Sequence, residues 1–155
     1  MFIAFTIGAI VVAIFLLLVL LWLFATIDDW SRDLTTNFAT TSASAKKRSL
    51  HPIISQRLAP ELADLVTTAA RQLSGWKLAG RDDTSDEITL RLVRTTRLMR
   101  FKDDITVYIR PAGGNQPRTN YEISAESQSR VGKGDFGQNP RNLAELMDTI
   151  RTLLR

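Results

Sequence analysis

The feature that constrains this chain most is an uncharged apolar run at its N-terminus, which extends from Phe2 to Ile27. At about 1.5 Å per helical residue, such a run is longer than the roughly 30 Å hydrocarbon core of a bilayer. A cleaved secretory peptide would need a basic start, an apolar core of about 7–15 residues and a cleavage site of small residues. The run is far longer than such a core, so the sequence predicts a transmembrane anchor over residues 1–27.

The composition of the chain limits the chemistry that it can perform. Its 155 residues include no cysteine and a single histidine, His51. This excludes a disulfide scaffold, and it leaves a zinc site or a Ser-His nucleophile without its usual side chains. The net charge of +4 comes from 20 basic and 16 acidic residues that are interspersed. Since there is no uninterrupted basic tract and no aromatic platform, we expect no nucleic-acid partner. With no cysteine and a single histidine, we also expect no bound metal and no cofactor.

A polar segment separates the apolar run from the rest of the chain. Residues 31–57 hold nine Ser or Thr, a Lys-Lys-Arg cluster and no apolar stripe. Such a composition is typical of a flexible coil. We therefore predict a Ser/Thr-rich tether over residues 28–57 and a soluble domain over residues 58–155.

The spacing of apolar residues in this domain changes between helical and strand periods. A helical pattern follows Pro60 and a second one follows Asn139-Pro140. Between them, apolar and polar residues alternate in four segments: 76–78, 88–93, 105–109 and 121–126. Alternation is expected where one sheet face is wet, and each helix has one apolar stripe to bury. The predicted fold class is α+β: a single N-terminal transmembrane helix, then a two-layer domain with a four-stranded antiparallel sheet and two helices on one face.

Two motifs lie near the predicted strand ends. Thr96–Asp104 contains Phe-Lys-Asp-Asp, and Ser127–Asn139 reads Ser-Gln-Ser-Arg-Val-Gly-Lys-Gly-Asp-Phe-Gly-Gln-Asn, with Arg141 shortly after it. In order and spacing they resemble the signature of the domain-of-unknown-function 1499 family, over about residues 60–155. One position departs from the pattern, because Glu126 stands where the family usually has arginine.

The resemblance implies a small, often membrane-anchored or exported domain with no established activity, and residues 29–37 resemble stretches that follow the anchor in some members. It also implies that the domain lies outside the cytoplasm. The basic residues after the anchor, Arg32 and the Lys46-Lys47-Arg48 cluster, favour the opposite orientation. We expect a single-pass protein of the cytoplasmic membrane with an extracytoplasmic domain.

A glycine-rich loop, residues 132–137, fits the spacing Gly-x-Gly-x-x-Gly. A dinucleotide fold would need a parallel strand and a ribose-binding acid after the next helix, and the sequence shows neither. Two interpretations stay open. In the first, the glycines form a tight turn, Asp135 binds backbone amides and Asn139 caps the helix. In the second, the same helix start holds a phosphate or carboxylate. The cations that would surround this anion are Arg130, Lys133 and Arg141.

Four arginines recur at every third residue: Arg91, Arg94, Arg97 and Arg100. On a strand, the first and third point to one face and the second and fourth to the other. An arginine on the core face needs a carboxylate partner, for which Asp103, Asp104 and Asp135 are the candidates. The sequence leaves two possibilities, an Arg–Asp network that holds the strand ends and the glycine loop together, or a ligand cleft at the same place.

We therefore predict a membrane-tethered, non-catalytic module that binds a protein partner or a small anionic ligand. Its cleft lies between the glycine loop and the segment Arg97–Asp104. Arg100 and Arg130 engage the anion, and Asp103 and Asp104 orient these arginines. The candidate ligand or network residues are Arg97, Arg100, Asp103, Asp104, Ser127, Ser129, Arg130, Lys133, Asp135, Asn139 and Arg141.

Two other functions remain open. One is a hydrolase or transferase that uses one of the three aspartates named above, with or without Mg²⁺. The other is a structural subunit of a membrane complex, for which Ala4, Gly8 and Ala9 offer a small-residue patch. The partners expected from the sequence are the lipid bilayer and, in a membrane complex, another protein.

Overall fold

The computed structural model describes residues 2–26, 36–97, 99–113, 120–132 and 134–155. These ranges contain three α-helices: α1 (Phe2–Thr26), α2 (Ala59–Gln72) and α3 (Gln138–Leu154). Six strands form one antiparallel sheet: β1 (Phe38–Thr40), β2 (Ile53–Ser55), β3 (Trp76–Asp83), β4 (Ile88–Thr95), β5 (Lys102–Pro111) and β6 (Tyr121–Ser129). The strand order is β1-β6-β5-β4-β3, and β2 also pairs with β6.

The N-terminal helix α1 exposes its described apolar side chains, such as Phe15 and Leu18. Among the helices of the described residues, none combines the length and the apolar character that crossing a membrane requires. The predicted single transmembrane helix over residues 1–27 is corrected accordingly.

The sheet has two strands more than predicted, because the segment predicted as a tether contributes β1 and β2. Both pair with β6: β1 lies beside its C-terminal half and β2 beside its N-terminal half. Each is only three residues long, so no alternating pattern distinguishes it from the surrounding Ser and Thr. The prediction of a four-stranded sheet is therefore wrong.

Helices α2 and α3 both pack on one face of the sheet. Buried side chains alternate with more exposed ones along the central strands, as at Leu90 and Leu92 of β4 and Val107 and Ile109 of β5. Burial of one such side chain contributes about 1.5–3 kcal/mol relative to its exposure, so this layer supplies the main driving force for folding. The largest fully buried side chains are Leu62, Val66, Leu90, Leu92, Ile105, Val107, Ile109, Ile123, Leu143, Leu146, Met147 and Ile150.

Three connections meet at one end of the sheet, which we call the loop end. They are the β4–β5 turn (residues 96–101), the β6–α3 connection (residues 130–137) and residues 36–37 before β1. The backbone N–H of Arg130 donates to the carbonyl of Lys102 at 3.1 Å, which holds the first two connections side by side. The antiparallel pairing places β2 and the β3–β4 turn towards the opposite end.

Thr41 completes the pairing of β6 between the two short strands, and this generates a first prediction. Its Oγ1 accepts the N–H of Ala125 at 2.9 Å. The change Thr41→Val leaves this buried N–H without an acceptor, so we expect the free energy of unfolding to fall by about 1–3 kcal/mol. Thr41→Ser keeps the hydroxyl and should lose clearly less. Urea denaturation of the full chain in neutral detergent measures both variants, and equal losses would contradict this role of the hydroxyl.

Candidate functional site

A buried Asn–Asp pair joins α3 to the sheet at the loop end. Asn142 and Asp103 are 0% and 1% exposed. The Nδ2 of Asn142 donates to Asp103 Oδ2 at 2.9 Å and to Ser127 Oγ at 3.2 Å. The carboxylate of Asp103 therefore faces the helix layer, and its hydrogen-bond donor is an amide.

A second buried asparagine, Asn139, ties the start of α3 to β6 and to the residue that precedes β1. Its Oδ1 accepts from Ser127 Oγ at 2.6 Å, and its Nδ2 donates to Ser129 Oγ at 3.1 Å and to the carbonyl of Asn37 at 2.6 Å. The Nδ2 of Asn37 in turn donates to the carbonyl of Gly132 at 2.9 Å. The oxygen and the nitrogen of this buried amide both have partners, as buried polar groups require.

Asp135 organises the first turn of α3. Its Oδ1 accepts the N–H of Gly137 at 2.9 Å and its Oδ2 accepts the N–H of Asn139 at 2.7 Å. The N-cap residue is Gly137, whose φ of 74° suits a residue without a Cβ. This differs from the predicted cap at Asn139. The physical reason is that Asp135 already binds the free amides at the positive end of the helix, so the side chain of Asn139 is available to the strands.

Arg94 is the arginine that β4 turns towards the helix layer. Its Nη1 donates to Asn142 Oδ1, and its Nη2 lies 3.3 Å from Glu145 Oε2. Its ionic partner is thus a glutamate of α3, whereas the sequence suggested one of three aspartates. Within the described ranges, the buried Nε of Arg94 has no hydrogen-bond partner, and neither has Nε1 of Trp76, its register neighbour on β3.

The surface of this network carries one ion pair. Arg130 donates from Nε and Nη2 to the two carboxylate oxygens of Asp104, at 2.8 and 2.6 Å. The hydrogen bonds that Arg130 donates to Asp104 raise the pKa of Arg130 above its ordinary value, and the charge of the carboxylate adds to this shift. Because both side chains are about half exposed, solvent screens the pair and its contribution to stability is small.

Next to this pair are three exposed cations: Arg97 and Arg100 in the β4–β5 turn, and Lys102 at the start of β5. None of them forms an ion pair with the part of the chain that the structure describes. Thr96 closes the turn, since its N–H donates to the carbonyl of Phe101 and its Oγ1 accepts the N–H of Phe101, each at 2.9 Å. The backbone of Arg100 has a positive φ of 57°, which is uncommon for a residue other than glycine.

The predicted site residues therefore divide into two groups, with two remaining. The buried network contains Asp103, Ser127, Ser129, Asp135 and Asn139, and the surface group contains Arg97, Arg100, Asp104 and Arg130. Arg141 is half-buried, and its Nη2 donates to Gln138 Oε1 at 3.4 Å. Lys133 lies outside the described residues. Over the described ranges, no three acidic or histidine side chains are grouped so that they could hold a metal ion.

Several network residues were missed by the sequence analysis: Asn37, Gln138, Asn142 and Glu145. A signal existed on the last helix, because positions 139, 142 and 145 are spaced by three and lie on one side of a helix. Gln138 joins them through its Nε2, which donates to Asn142 Oδ1 at 2.7 Å. Asn37 carried no such signal, since its contacts depend on the pairing of β1 with β6.

A second polar feature, a groove of about 510 Å³, lies on the open face of the sheet. In it, the hydroxyl of Tyr108 donates to Glu126 Oε1 at 2.7 Å, and the guanidinium of Arg110 lies 4.4 Å from the centre of the Tyr108 ring. The hydrogen bond to Glu126, followed by burial, raises the pKa of Tyr108. Glu126, the position where the family usually has arginine, thus binds a tyrosine and lies on the face opposite to the buried network.

These features define a class: a small α+β domain in which a buried polar network holds one end of the sheet and displays cations on adjoining loops. The chain belongs to the family of proteins of unknown function DUF1499, which matches residues 30–150. The resemblance of the two motifs is thereby confirmed, and the match includes the segment that contributes β1 and β2. A search of curated proteins found no match to the chain.

The central position of Asn142 generates a prediction about stability. Asn142→Ala removes the donor to Asp103 and the acceptor for Arg94, and it leaves both groups buried. We expect the free energy of unfolding to fall by about 3 kcal/mol, since Asp103 stays buried without its amide donor and Arg94 keeps only Glu145. The control Thr152→Ala, on the exposed side of the same helix, should change it by no more than about 0.5 kcal/mol. Urea denaturation compares the two, and similar values would contradict the role given to Asn142.

The pKa of Tyr108 generates a prediction about alkaline pH. The folded state binds the phenol proton of Tyr108 more tightly than the unfolded chain does. As the pH rises, the tyrosine of the unfolded chain therefore loses its proton first, near its ordinary pKa of about 10. The stabilisation is therefore complete below that pH and is lost as the pH rises through the pKa of the folded state. In Tyr108→Phe this part of the alkaline loss should be absent. Free energies of unfolding measured from about pH 9 to 11 test this, and equal slopes in both proteins would contradict it.

Proposed function

We propose that this protein is a non-catalytic binding module whose loop end binds an anionic group, such as a phosphate or a carboxylate. The observation that carries the proposal is the set of exposed cations Arg97, Arg100 and Lys102, which lack carboxylate partners in the described structure. Arg130 lies beside them, because its backbone N–H bonds to Lys102. Cations gathered without matching acids create a positive potential that attracts anions.

The acidic residues near this surface support binding over catalysis by carboxylates. Asp103 is buried and bound to Asn142, and Asp135 binds two backbone amides. Asp104 accepts hydrogen bonds from two of the three guanidinium nitrogens of Arg130. A general acid or base needs a carboxylate that can reach a substrate, and each of these three already serves the loop geometry.

The rigid support of the surface also favours binding. The turn at 96–101 is closed by Thr96, and the adjoining connection is fixed by Asp135 and Asn37. A preorganised surface loses less conformational entropy when a ligand binds, so modest contacts give useful affinity. The extracytoplasmic location and the association with a membrane complex stay predictions on which this geometry does not bear.

The proposal predicts that a simple anion binds at the loop end. We expect inorganic pyrophosphate, added to the full chain in neutral detergent, to shift the amide NMR signals of residues 96–102 and 130–132. The double change Arg97→Gln/Arg100→Gln should weaken this binding by at least about tenfold. A hydrogen bond to a charged group contributes about 1.5–3 kcal/mol, and 1.4 kcal/mol corresponds to a factor of about ten in affinity.

The matched control is Arg57→Gln/Arg155→Gln, which removes the same charge from exposed positions outside the loop end. It should leave the affinity for pyrophosphate unchanged within about twofold. Equal weakening by both double variants would show a non-specific effect of net charge and would contradict the site. An absence of shifts at the loop end in the parent protein would contradict it as well.

A further inference from the structure

The loop end also carries an unusual share of exposed apolar side chains. Met99 and Phe101 on the β4–β5 turn are 63% and 46% exposed, and Val131 and Phe136 on the β6–α3 connection are 62% and 53% exposed. Phe38, at the start of β1, is exposed at the same end. In the described residues from 36 onwards, only three other large apolar side chains are exposed: Ile54, Leu58 and Leu78.

Two residues of these connections, one in the β4–β5 turn and one in the β6–α3 connection, have strained backbones. Phe136 has a φ of 51° and Arg100 a φ of 57°, and they are the non-glycine residues with positive φ in the described part of the chain. Such conformations cost free energy and persist where the surrounding structure holds them. Here they hold an aromatic ring and a cation at the loop tips, where neither contributes to the core.

The chemistry of the surface combines apolar tips with cations that flank them. The exposure of the apolar side chains to water is unfavourable. Arg97, Arg100 and Lys102 have no anionic partner in the described part of the chain. A surface of anionic lipid supplies both at once, because its headgroups bind the cations while the interfacial region beneath receives the apolar tips. A soluble phosphate would satisfy the cations and leave the tips in water.

We propose that the loop end docks on an anionic lipid surface, with Met99, Phe101, Val131 and Phe136 in the interfacial region and the neighbouring cations on the headgroups. This inference rests on the proposed function, because it names the source of the anionic groups. It concerns peripheral contact by the folded domain, whose loop tips enter the headgroup layer.

The chain has no cysteine, so a single introduced cysteine can carry an environment-sensitive fluorophore. The full chain is labelled at Met99→Cys or, as a control at the opposite end, at Ile54→Cys, and is mixed with vesicles. One set of vesicles contains phosphatidylcholine alone and the other also contains phosphatidylglycerol. The emission at position 99 should shift to the blue with phosphatidylglycerol vesicles and much less with phosphatidylcholine. The emission at position 54 should be the same with both.

Two pairs of variants separate the contributions to docking. Arg97→Gln/Arg100→Gln should weaken the response at position 99 by about 30-fold in lipid concentration, since each cation near an anionic surface is worth roughly fivefold. Val131→Ser/Phe136→Ser removes apolar tips and should also weaken it, whereas the matched control Ile54→Ser/Leu58→Ser, labelled at position 99, should not. Near-ultraviolet circular dichroism verifies that each variant is folded.

The outcomes distinguish this inference from the proposed function. If position 99 stays in water with both vesicles while pyrophosphate still binds, the loop end serves a soluble anion or a protein partner, and lipid docking is overturned. If positions 99 and 54 respond alike, the response is not due to the loop end and the inference is also overturned. If pyrophosphate and vesicles both fail to bind at the loop end, the proposed function is contradicted too.

Discussion

The hydrogen bond from Asn142 to Asp103 is the contact on which the geometry of the loop end depends. It joins the helix layer to the middle of the sheet at a place where both groups are almost fully buried. A buried carboxylate is tolerated only where donors replace water, and the same amide also accepts from Arg94. The position of α3 over the sheet is therefore fixed by a directional contact, in addition to the non-directional packing of its apolar stripe.

This buried polar layer is continuous with the apolar core. Arg94 is in phase with Leu90 and Leu92 on β4, and Asp103 is in phase with Ile105 on β5. On β6, Ser127 continues the inward series of Ile123 and Ala125. Three adjacent strands thus end their apolar series in a polar side chain, and α3 meets them with asparagines. The core thus changes from apolar packing to hydrogen bonding at one end of the sheet, where most of the buried polar groups have partners.

This phase relation shows what the sequence could predict. The alternation of Ile105, Val107 and Ile109 extends back to Asp103 and places its carboxylate on the inner face. The burial of Asp103 could therefore be predicted from the sequence. The helix after Pro60 and the final helix were also visible as apolar stripes. The strands β1 and β2 were not, because a three-residue strand carries no period of its own and is defined by its partner, which lies 86–90 residues away along the chain for β1 and 66–70 for β2. The contacts of Asn37 were hidden for the same reason.

The positive charge on the surface of the loop end results from the internal contacts of the nearby acidic residues. The acidic groups nearest to the β4–β5 turn are engaged elsewhere: Asp103 by a buried amide, Asp135 by backbone N–H groups, and Asp104 by Arg130. The turn cations are consequently left with solvent as their partner in the described structure, although acids lie within a few residues of them. In the proposed binding, an anion at this surface would add contacts to Arg97, Arg100 and Lys102 without displacing internal ones. The network therefore both builds the loop end and keeps its positive charge available.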